Sequence, residues 1–276
     1  MILPDTGGGV LSDAQTTEAA RRIHEAERTR TQIAQLSIQY SDMTIADAYE
    51  IQRKWIAVKR TGGSVLKGHK IGLTSKAMQY SSQIDEPDYG SLLAEMFFSE
   101  GSDISMSRFI VPRLEVELAF VLGKPLKGPE CTIFDVLSAT DYVVPALEII
   151  DARIQQIDPQ SKRPRKVTDT ISDNAACAGV VLGGRPILPS SLDLRWISAL
   201  CYRNAVIEES GVAAAVLNHP ANGVAWLANK LAAYDVALER GQIILAGSFT
   251  RPMQARAGDN FHIDYGPLGA IACRFV

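Results

Sequence analysis

The segment 113–122, Arg-Leu-Glu-Val-Glu-Leu-Ala-Phe-Val-Leu, restricts the possible folds most strongly, because it places two acidic residues inside an apolar run. Its β-branched and aromatic residues predict a strand, and successive side chains of a strand point to opposite faces. Glu115 and Glu117 therefore share one face, and the apolar residues around them share the other. Adjacent carboxylates repel each other, and burying either one without a partner costs free energy.

A hard divalent cation such as Mg²⁺ or Mn²⁺ is one such partner, since it prefers oxygen ligands. A third carboxylate is available in Glu148, the single acidic residue of the apolar run 143–150. Three carboxylates from two strands would leave positions for water and substrate. The alternative is that Glu115 and Glu117 line a solvated face while Glu148 ends a strand. From the residues alone both interpretations stay open.

The composition narrows the class of protein. The 276 residues are 46% hydrophobic and 21% charged, which is typical of a globular chain with a sizeable core. A net charge of -3 gives no general attraction to nucleic acid or anionic membranes. The sequence contains no membrane-spanning apolar run, signal peptide, C-x-x-C pair, nucleotide-binding glycine motif or G-x-S-x-G. We expect a soluble cytoplasmic protein without a nucleic-acid or membrane partner.

Helical signals are concentrated at the start of the chain. Ser12 or Asp13 can cap a helix that extends to about residue 36, and the segment 44–47 (Thr-Ile-Ala-Asp) resembles a capping box before a second helix. Strand patterns prevail afterwards, interrupted by short helices. We therefore predict an α+β fold with a helical N-terminal region at 1–62 and a β-rich catalytic domain at 63–276.

Two further residues are candidates for proton transfer. Lys70 lies on a predicted strand between apolar neighbours, so its ammonium group would face the acidic cluster. Asp88 lies in the segment 86–90, Glu-Pro-Asp-Tyr-Gly, which is also a favoured turn sequence. A surface lysine and a turn aspartate are the alternative interpretations.

A polar segment at 169–174, Asp-Thr-Ile-Ser-Asp-Asn, is a candidate for substrate binding. It ends a predicted polar loop over 153–175, and Ser172 and Asp173 are the candidate residues within it. Such a run can hold a substrate carboxylate or a supporting hydrogen-bond network. A turn that simply enters the next strand is the alternative.

A second candidate for anion binding follows the apolar strand near residue 245. Ser248 and Thr250 place small hydroxyl groups there, together with backbone N–H groups. The basic run 162–166 includes Lys166 and is typical of a solvated loop. None of these features is specific by itself.

Taken together, five segments resemble the hydratase/decarboxylase family of aromatic meta-cleavage pathways, which shares the fumarylacetoacetase C-terminal fold. They occur in order along a likeness that extends from about residue 12 to Val276, and as a set they are highly specific. The segments are 67–75 (KGHKIGLTS), 113–117 (RLEVE), 145–148 (PALE), 169–176 (DTISDNAA) and 218–229 (NHPANGVAWLAN).

The resemblance implies a mixed β-roll with a helical N-terminal part, assembled as a homo-oligomer. It also implies Mg²⁺, or Mn²⁺, held by Glu115, Glu117 and Glu148. The residues that match active-site positions are Lys70 and Asp88, as candidates for proton handling and water activation. The residues implied near the substrate are Ser172, Asp173, Ser248 and Thr250. A distal substrate carboxylate would need a cation, for which the candidates are Arg163, Lys166 and Arg251.

The substrates that the resemblance implies are 2-hydroxydienoates, whose 1-carboxylate and 2-oxygen can chelate the metal. A proton delivered to C5 and water added at C4 would hydrate them. The likeness is greatest to members that act on a seven-carbon dicarboxylate of homoprotocatechuate degradation. Alternatives within the fold are a 4-oxalocrotonate-type decarboxylase and a 2-hydroxypentadienoate hydratase. A non-catalytic partner subunit is a further alternative, although an idle acidic cluster would only cost stability.

Overall fold

A computed structural model describes residues 8–276. Its helices are α1 (Asp13–Thr29), α2 (Leu36–Gln39), α3 (Ile45–Thr61), α4 (Lys76–Ser82), α5 (Ile133–Ala139), α6 (Val167–Ser172) and α7 (Pro220–Ala232). Its strands are β1 (Leu66–Gly72), β2 (Asp88–Leu93), β3 (Phe97–Phe98), β4 (Asp103–Ile104), β5 (Arg113–Leu122), β6 (Thr140–Ile150), β7 (Cys177–Leu182), β8 (Ser198–Arg203), β9 (Val206–Val212), β10 (Ile243–Leu245), β11 (Met253–Gln254), β12 (Asn260–Asp264) and β13 (Ala270–Phe275). Within this part of the chain, no helix combines the length and apolar character needed to cross a membrane.

The predicted helix starts are confirmed by their capping contacts. The Ser12 hydroxyl accepts from the N–H of Gln15, whose side chain accepts from the N–H of Ser12. Thr44 and Asp47 form the same reciprocal pair at the start of α3. The prediction that the first helix continues to residue 36 is wrong. Arg30 takes a left-handed conformation with φ of 56°, which ends α1 and lets the chain restart as α2.

The strands form two mixed sheets, which confirms the α+β class. The larger sheet has the order β2-β1-β10-β5-β6-β7-β3, with β11 also paired to β5, and the smaller has the order β4-β13-β12-β8-β9. Most pairs are antiparallel, whereas β1–β10, β3–β7 and β4–β13 are parallel. The long strands β5 and β6 occupy the middle of the larger sheet and are buried along most of their length.

The helical start of the chain packs into the same core as the sheets. Trp55 of α3 is fully buried, and it belongs to one hydrophobic cluster with residues of α1 and β5. The buried Gln52 side chain donates to the carbonyls of Tyr89 and Ile171, which joins α3 to both β2 and α6. The division at residue 62 stays a prediction, and residues 1–7 lie outside the described part.

The polar run that the sequence predicted as part of a loop forms a short helix instead. Residues 167–172 are α6, and the Asp169 carboxylate accepts from the N–H of Lys166 at its start. The same carboxylate accepts from the N–H and the hydroxyl of Ser37. Partners 132 residues away along the chain therefore anchor this helix, and the local sequence could not have indicated them.

We predict that Gly68→Ala destabilises the protein by about 3 kcal/mol or more. Gly68 has a φ of 155°, and a Cβ there would overlap the carbonyl of Ile243 on the parallel neighbour β10. Gly63→Ala is the matched control, because Gly63 also has a positive φ of 103° but open space around it. Its expected cost is only about 1–2 kcal/mol. Equal losses of unfolding free energy in urea would contradict this account of β1.

Candidate metal centre

The three predicted acidic residues meet in the middle of the larger sheet. Glu115 of β5 lies directly opposite Glu148 of β6, and Glu117 lies two residues farther along β5, on the same face. One carboxylate oxygen from each residue lies within 4.8 Å of the other two. The alternation of side chains along a strand therefore produces a cluster of three carboxylates.

This cluster carries more negative charge than its surroundings balance. Glu117 and Glu148 are fully buried, and Glu117 Oε1 and both oxygens of Glu148 accept no hydrogen bond within the described residues. Burial, and then the charge of Glu148, raise the pKa of Glu115 to about 7 and raise the pKa of Glu117 well above its usual range. Unpartnered carboxylate oxygens at this spacing are the donor set that a hard divalent cation takes. The residues present therefore fit Mg²⁺ or Mn²⁺.

Lys70 supplies one positive charge to the cluster. It lies on β1, and its Nζ is 3.3 Å from Glu148 Oε2 and donates to the carbonyl of Ala175 at 3.2 Å. Burial opposes its charge, but Glu148 and then Asp88 outweigh that effect and raise the pKa of Lys70. The ammonium group therefore stays protonated at neutral pH.

Asp88 reaches the same cluster from β2, where it pairs with Gly72 of β1. It is 1% exposed, and its Oδ1 has no hydrogen-bond partner within residues 8–276. Burial raises the pKa of Asp88, Lys70 opposes the shift, and Glu148 adds to it. A buried carboxyl group with a raised pKa is suited to exchange a proton near neutral pH.

Gly72 is a contributor that the sequence analysis did not identify. A Cβ at this position would overlap Asp88 Oδ1 and would stand 3.0 Å from Lys70 Nζ. The missing side chain therefore makes the space in which Asp88 and Lys70 approach each other. The glycine-rich character of β1 was a signal for this, but it did not indicate which glycine was needed.

The wall facing Lys70 is an unusual turn between α6 and β7. Asn174, Ala175 and Ala176 have φ values of 53°, 49° and 62°, in the left-handed region that non-glycine residues seldom adopt. The Asn174 side chain fixes this turn to β2 by accepting from the N–H of Ser91 and donating to its carbonyl. In this position the turn directs the Ala175 carbonyl toward Lys70. Strained backbone therefore lies next to the candidate site.

The substrate-binding candidates Ser172 and Asp173 are engaged within the fold. The Ser172 hydroxyl donates to the carbonyl of Thr168, and Asp173 Oδ1 accepts from Arg153 Nε at 2.6 Å. Lys166 is exposed and starts α6 through its backbone. The structure does not bring the Lys166 side chain into the cluster.

The other two candidates, Ser248 and Thr250, follow Gly247, which hydrogen-bonds a carboxylate of the cluster. The Ser248 hydroxyl donates to the carbonyl of Thr250, whereas Thr250 Oγ1 is buried without a hydrogen-bond partner in the described part. The N–H of Gly247 donates to Glu117 Oε2 at 2.8 Å. The backbone donor expected to hold a substrate anion therefore holds a carboxylate of the protein itself. The roles of Ser172, Asp173, Lys166, Ser248 and Thr250 at the substrate stay predictions.

Comparison of the chain with known proteins identifies its family. Residues 42–276 match the fumarylacetoacetate (FAA) hydrolase C-terminal family. The chain belongs to this family. Membership confirms the predicted fold type, in which β5 and β6 carry the three carboxylates.

Full-length relatives of this FAA hydrolase family member have related activities. The chain is 70% identical over 260 residues to 2-oxo-hept-4-ene-1,7-dioate hydratase of Escherichia coli, and the alignment covers 94% of this chain and 97% of that one. It is 37% identical to 2-hydroxyhexa-2,4-dienoate hydratase of Comamonas testosteroni, covering 96% and 100%. The structure of 4-oxalocrotonate decarboxylase from Pseudomonas putida G7, complexed with magnesium and adipate, superposes with a TM-score of 0.92 at 33% identity, covering 97% and 99%.

We predict that Glu117→Gln stabilises the metal-free protein and weakens its response to Mg²⁺. The amide can still accept from Gly247, but it removes a carboxyl group whose ionisation the burial opposes, so the melting temperature in EDTA should rise by about 2–5 °C. Added Mg²⁺ should raise the melting temperature of the wild type and change that of the variant much less. Glu239→Gln, at an exposed glutamate, is the control and should behave as the wild type. A variant that melts lower in EDTA and responds fully to Mg²⁺ would contradict a metal site here.

We also predict that Mg²⁺ binding weakens as the pH falls from 8 to 6. The pKa of Glu115 is about 7 in the metal-free protein, so this carboxyl group carries a proton over much of that range. Metal binding must then displace the proton. Calorimetric titrations in two buffers with different ionisation enthalpies should show proton release that increases toward pH 6. An affinity and a heat that do not depend on pH or buffer would be the contrary result.

Proposed function

We propose that this protein is a Mg²⁺-dependent hydratase that converts 2-oxo-hept-4-ene-1,7-dioate, through its 2-hydroxydienedioate tautomer, to 4-hydroxy-2-oxoheptanedioate. The observation that carries this proposal is the cluster of three carboxylates, with Lys70 beside Glu148 and Asp88 beside Lys70. The 70% identity to the E. coli hydratase supports the same reaction. Mn²⁺ is the alternative metal, because the donor set suits both ions.

When bound by the three glutamates, the cation would supply positive charge that holds an α-keto acid and draws electron density from its 2-oxo group. The residues of the chain supply the rest of the chemistry. Lys70 remains protonated beside Glu148, so it can donate hydrogen bonds and balance negative charge that develops on the substrate. Because Asp88 is buried, unpartnered at Oδ1 and raised in pKa, it is suited to take a proton from the water that adds at C4.

Decarboxylation of 4-oxalocrotonate is the second candidate function. The superposition on the P. putida decarboxylase favours it, since that enzyme shares the fold over nearly the whole chain. A decarboxylase excludes water from the reacting carbon, whereas a hydratase must hold a water there. The lower identity to that enzyme, 33% against 70%, makes hydration the preferred proposal.

Three further inferences rest on the family resemblance. We place the reaction in homoprotocatechuate degradation, where the seven-carbon dicarboxylate would be its substrate. We also infer a homo-oligomer in the cytoplasm, and the absence of disulfides among the four cysteines is compatible with that location. A non-catalytic subunit is not supported, because the unpartnered buried carboxylates would destabilise it without any return.

The direct test follows the loss of dienoate absorbance in the ultraviolet. Wild-type protein should consume 2-hydroxyhepta-2,4-dienedioate. Its activity should be lost after exhaustive treatment with EDTA and should return with added Mg²⁺. Asp88→Asn should lower kcat by about 100-fold or more and leave KM nearly unchanged, because the carboxylate acts on the reacting water.

Two controls separate the alternatives. Asp235→Asn should leave the rate unchanged, because this aspartate is exposed at the surface and pairs with Lys127. Release of CO₂ from 4-oxalocrotonate at a higher rate than hydration of the dienedioate would replace hydration by decarboxylation. Full activity after chelation would contradict the metal-dependent mechanism.

A further inference from the structure

Arg165 is a half-buried cation with one buried nitrogen that makes no hydrogen bond in the described part of the chain. Its side chain is 14% exposed, and its Nη1 is buried without a hydrogen-bond partner in residues 8–276. Nη1 carries two of the five N–H donors of the planar guanidinium fork, and leaving these two buried and unpaired is costly. The position therefore favours an anionic ligand.

The nearest acid cannot satisfy this guanidinium group. Asp173 Oδ2 lies 3.6 Å from Arg165 Nη1, which is longer than a hydrogen bond. Arg153 already occupies the Asp173 carboxylate, through Nε at 2.6 Å and its own backbone N–H at 2.9 Å. The hydrogen-bonding positions of Asp173 are thus taken by Arg153, and the charge of Arg165 is balanced at longer range by Asp173 and Asp169.

Arg165 also acts electrostatically on the candidate active site. Burial raises the pKa of Asp88, and the charges of Lys70 and Arg165 oppose that rise. Burial lowers the pKa of Arg165, and the charges of Asp173, Asp169 and Asp88 oppose that fall. Arg165 just precedes α6, which leads into the left-handed turn that presents the Ala175 carbonyl to Lys70. Arg165 is therefore connected to the candidate site through α6, and its charge acts on Asp88.

The cations expected to bind a distal carboxylate are poorly placed by comparison. Arg163 and Lys166 are exposed. The Arg251 side chain is 84% exposed and pairs with Glu209 at 2.6 Å. An exposed cation gains little from an anion because water screens the charge, whereas a buried and preorganised guanidinium gains much more. Among these four cations, Arg165 is the one with a buried nitrogen that makes no hydrogen bond in residues 8–276, and its charge acts on Asp88.

We propose that Arg165 binds the carboxylate of the substrate that is remote from the metal, and that it makes the site selective for dicarboxylates. This proposal rests on the proposed hydratase function, and it concerns the end of the substrate that does not react. A planar carboxylate can accept two parallel hydrogen bonds from the guanidinium fork. A monocarboxylate of similar length would leave those donors unpaired, and the enzyme would discriminate against it.

The test compares Arg165→Met and Arg165→Lys with two substrates that share the reacting end. These are 2-hydroxyhepta-2,4-dienedioate and the monocarboxylate 2-hydroxyhexa-2,4-dienoate. Arg165→Met should raise KM for the diacid by about 30- to 100-fold and change KM for the monoacid by less than about 3-fold. Arg165→Lys should recover part of the loss, since it keeps the charge and loses the fork. Lys162→Met, at an exposed position on the same loop, should not change the preference.

A binding measurement separates failure of this proposal from failure of the hydratase function. Calorimetry with Mg²⁺-loaded protein and the unreactive pair adipate and hexanoate requires no turnover. Tighter binding of adipate by the wild type, lost in Arg165→Met and partly kept in Arg165→Lys, supports Arg165 even if neither dienoate is hydrated. An equal loss for both substrates or both ligands, or no change in either, overturns the proposal. If Arg165→Met does not fold, the diacid-to-monoacid ratio of Arg165→Lys decides by the same criterion.

Discussion

Mutual repulsion of three carboxylates in a buried sheet is the constraint on which the rest of this structure depends. Glu115, Glu117 and Glu148 converge because β5 and β6 pair in one register, and shifting that register by one residue would send the side chains to opposite faces. Among residues 8–276, the groups that oppose the repulsion are the ammonium group of Lys70, the backbone N–H of Gly247 and, more weakly, the charge of Arg113. The remaining imbalance gives the sheet its affinity for a divalent cation.

The surrounding elements place other groups around this charge. Gly72 leaves space for Asp88 and Lys70 to approach each other, and the turn after α6 gives Lys70 a carbonyl acceptor. That turn is held from β2 by Asn174 and from the loop before α6 through the Arg153–Asp173 pair. Backbone strain, buried charge and unsatisfied donors all occur within this small region. Their concentration is typical of a site built to act on a ligand.

Much of this arrangement was predictable from the sequence, for identifiable reasons. The strand period placed Glu115 and Glu117 on one face, and an isolated acid in an apolar run marked Glu148. Helix starts followed from local capping residues such as Ser12 and Thr44, whose partners lie three residues away. The resemblance of five segments then indicated the fold and the substrate class.

The rest depended on contacts between distant parts of the chain. Asp169 belongs to a helix because Ser37 hydrogen-bonds its carboxylate, and nothing near residue 169 indicates this. Asp173 is of a residue type that often binds ligands, but its carboxylate already accepts a hydrogen bond from Arg153. In the basic run 162–166, burial distinguishes Arg165 from its neighbours, and burial is a property of the tertiary structure.

The hydrogen bonds made by Gln52 matter for any attempt to transfer part of this chain to another protein. Its amide ties α3 to both β2 and α6, so the helical preface supports the strand that carries Asp88 and the helix next to the left-handed turn. Buried hydrogen bonds therefore cross the predicted boundary near residue 62. Fusing the β-rich portion alone to another protein would omit α3, and with it the hydrogen bonds that hold β2 and α6 in place.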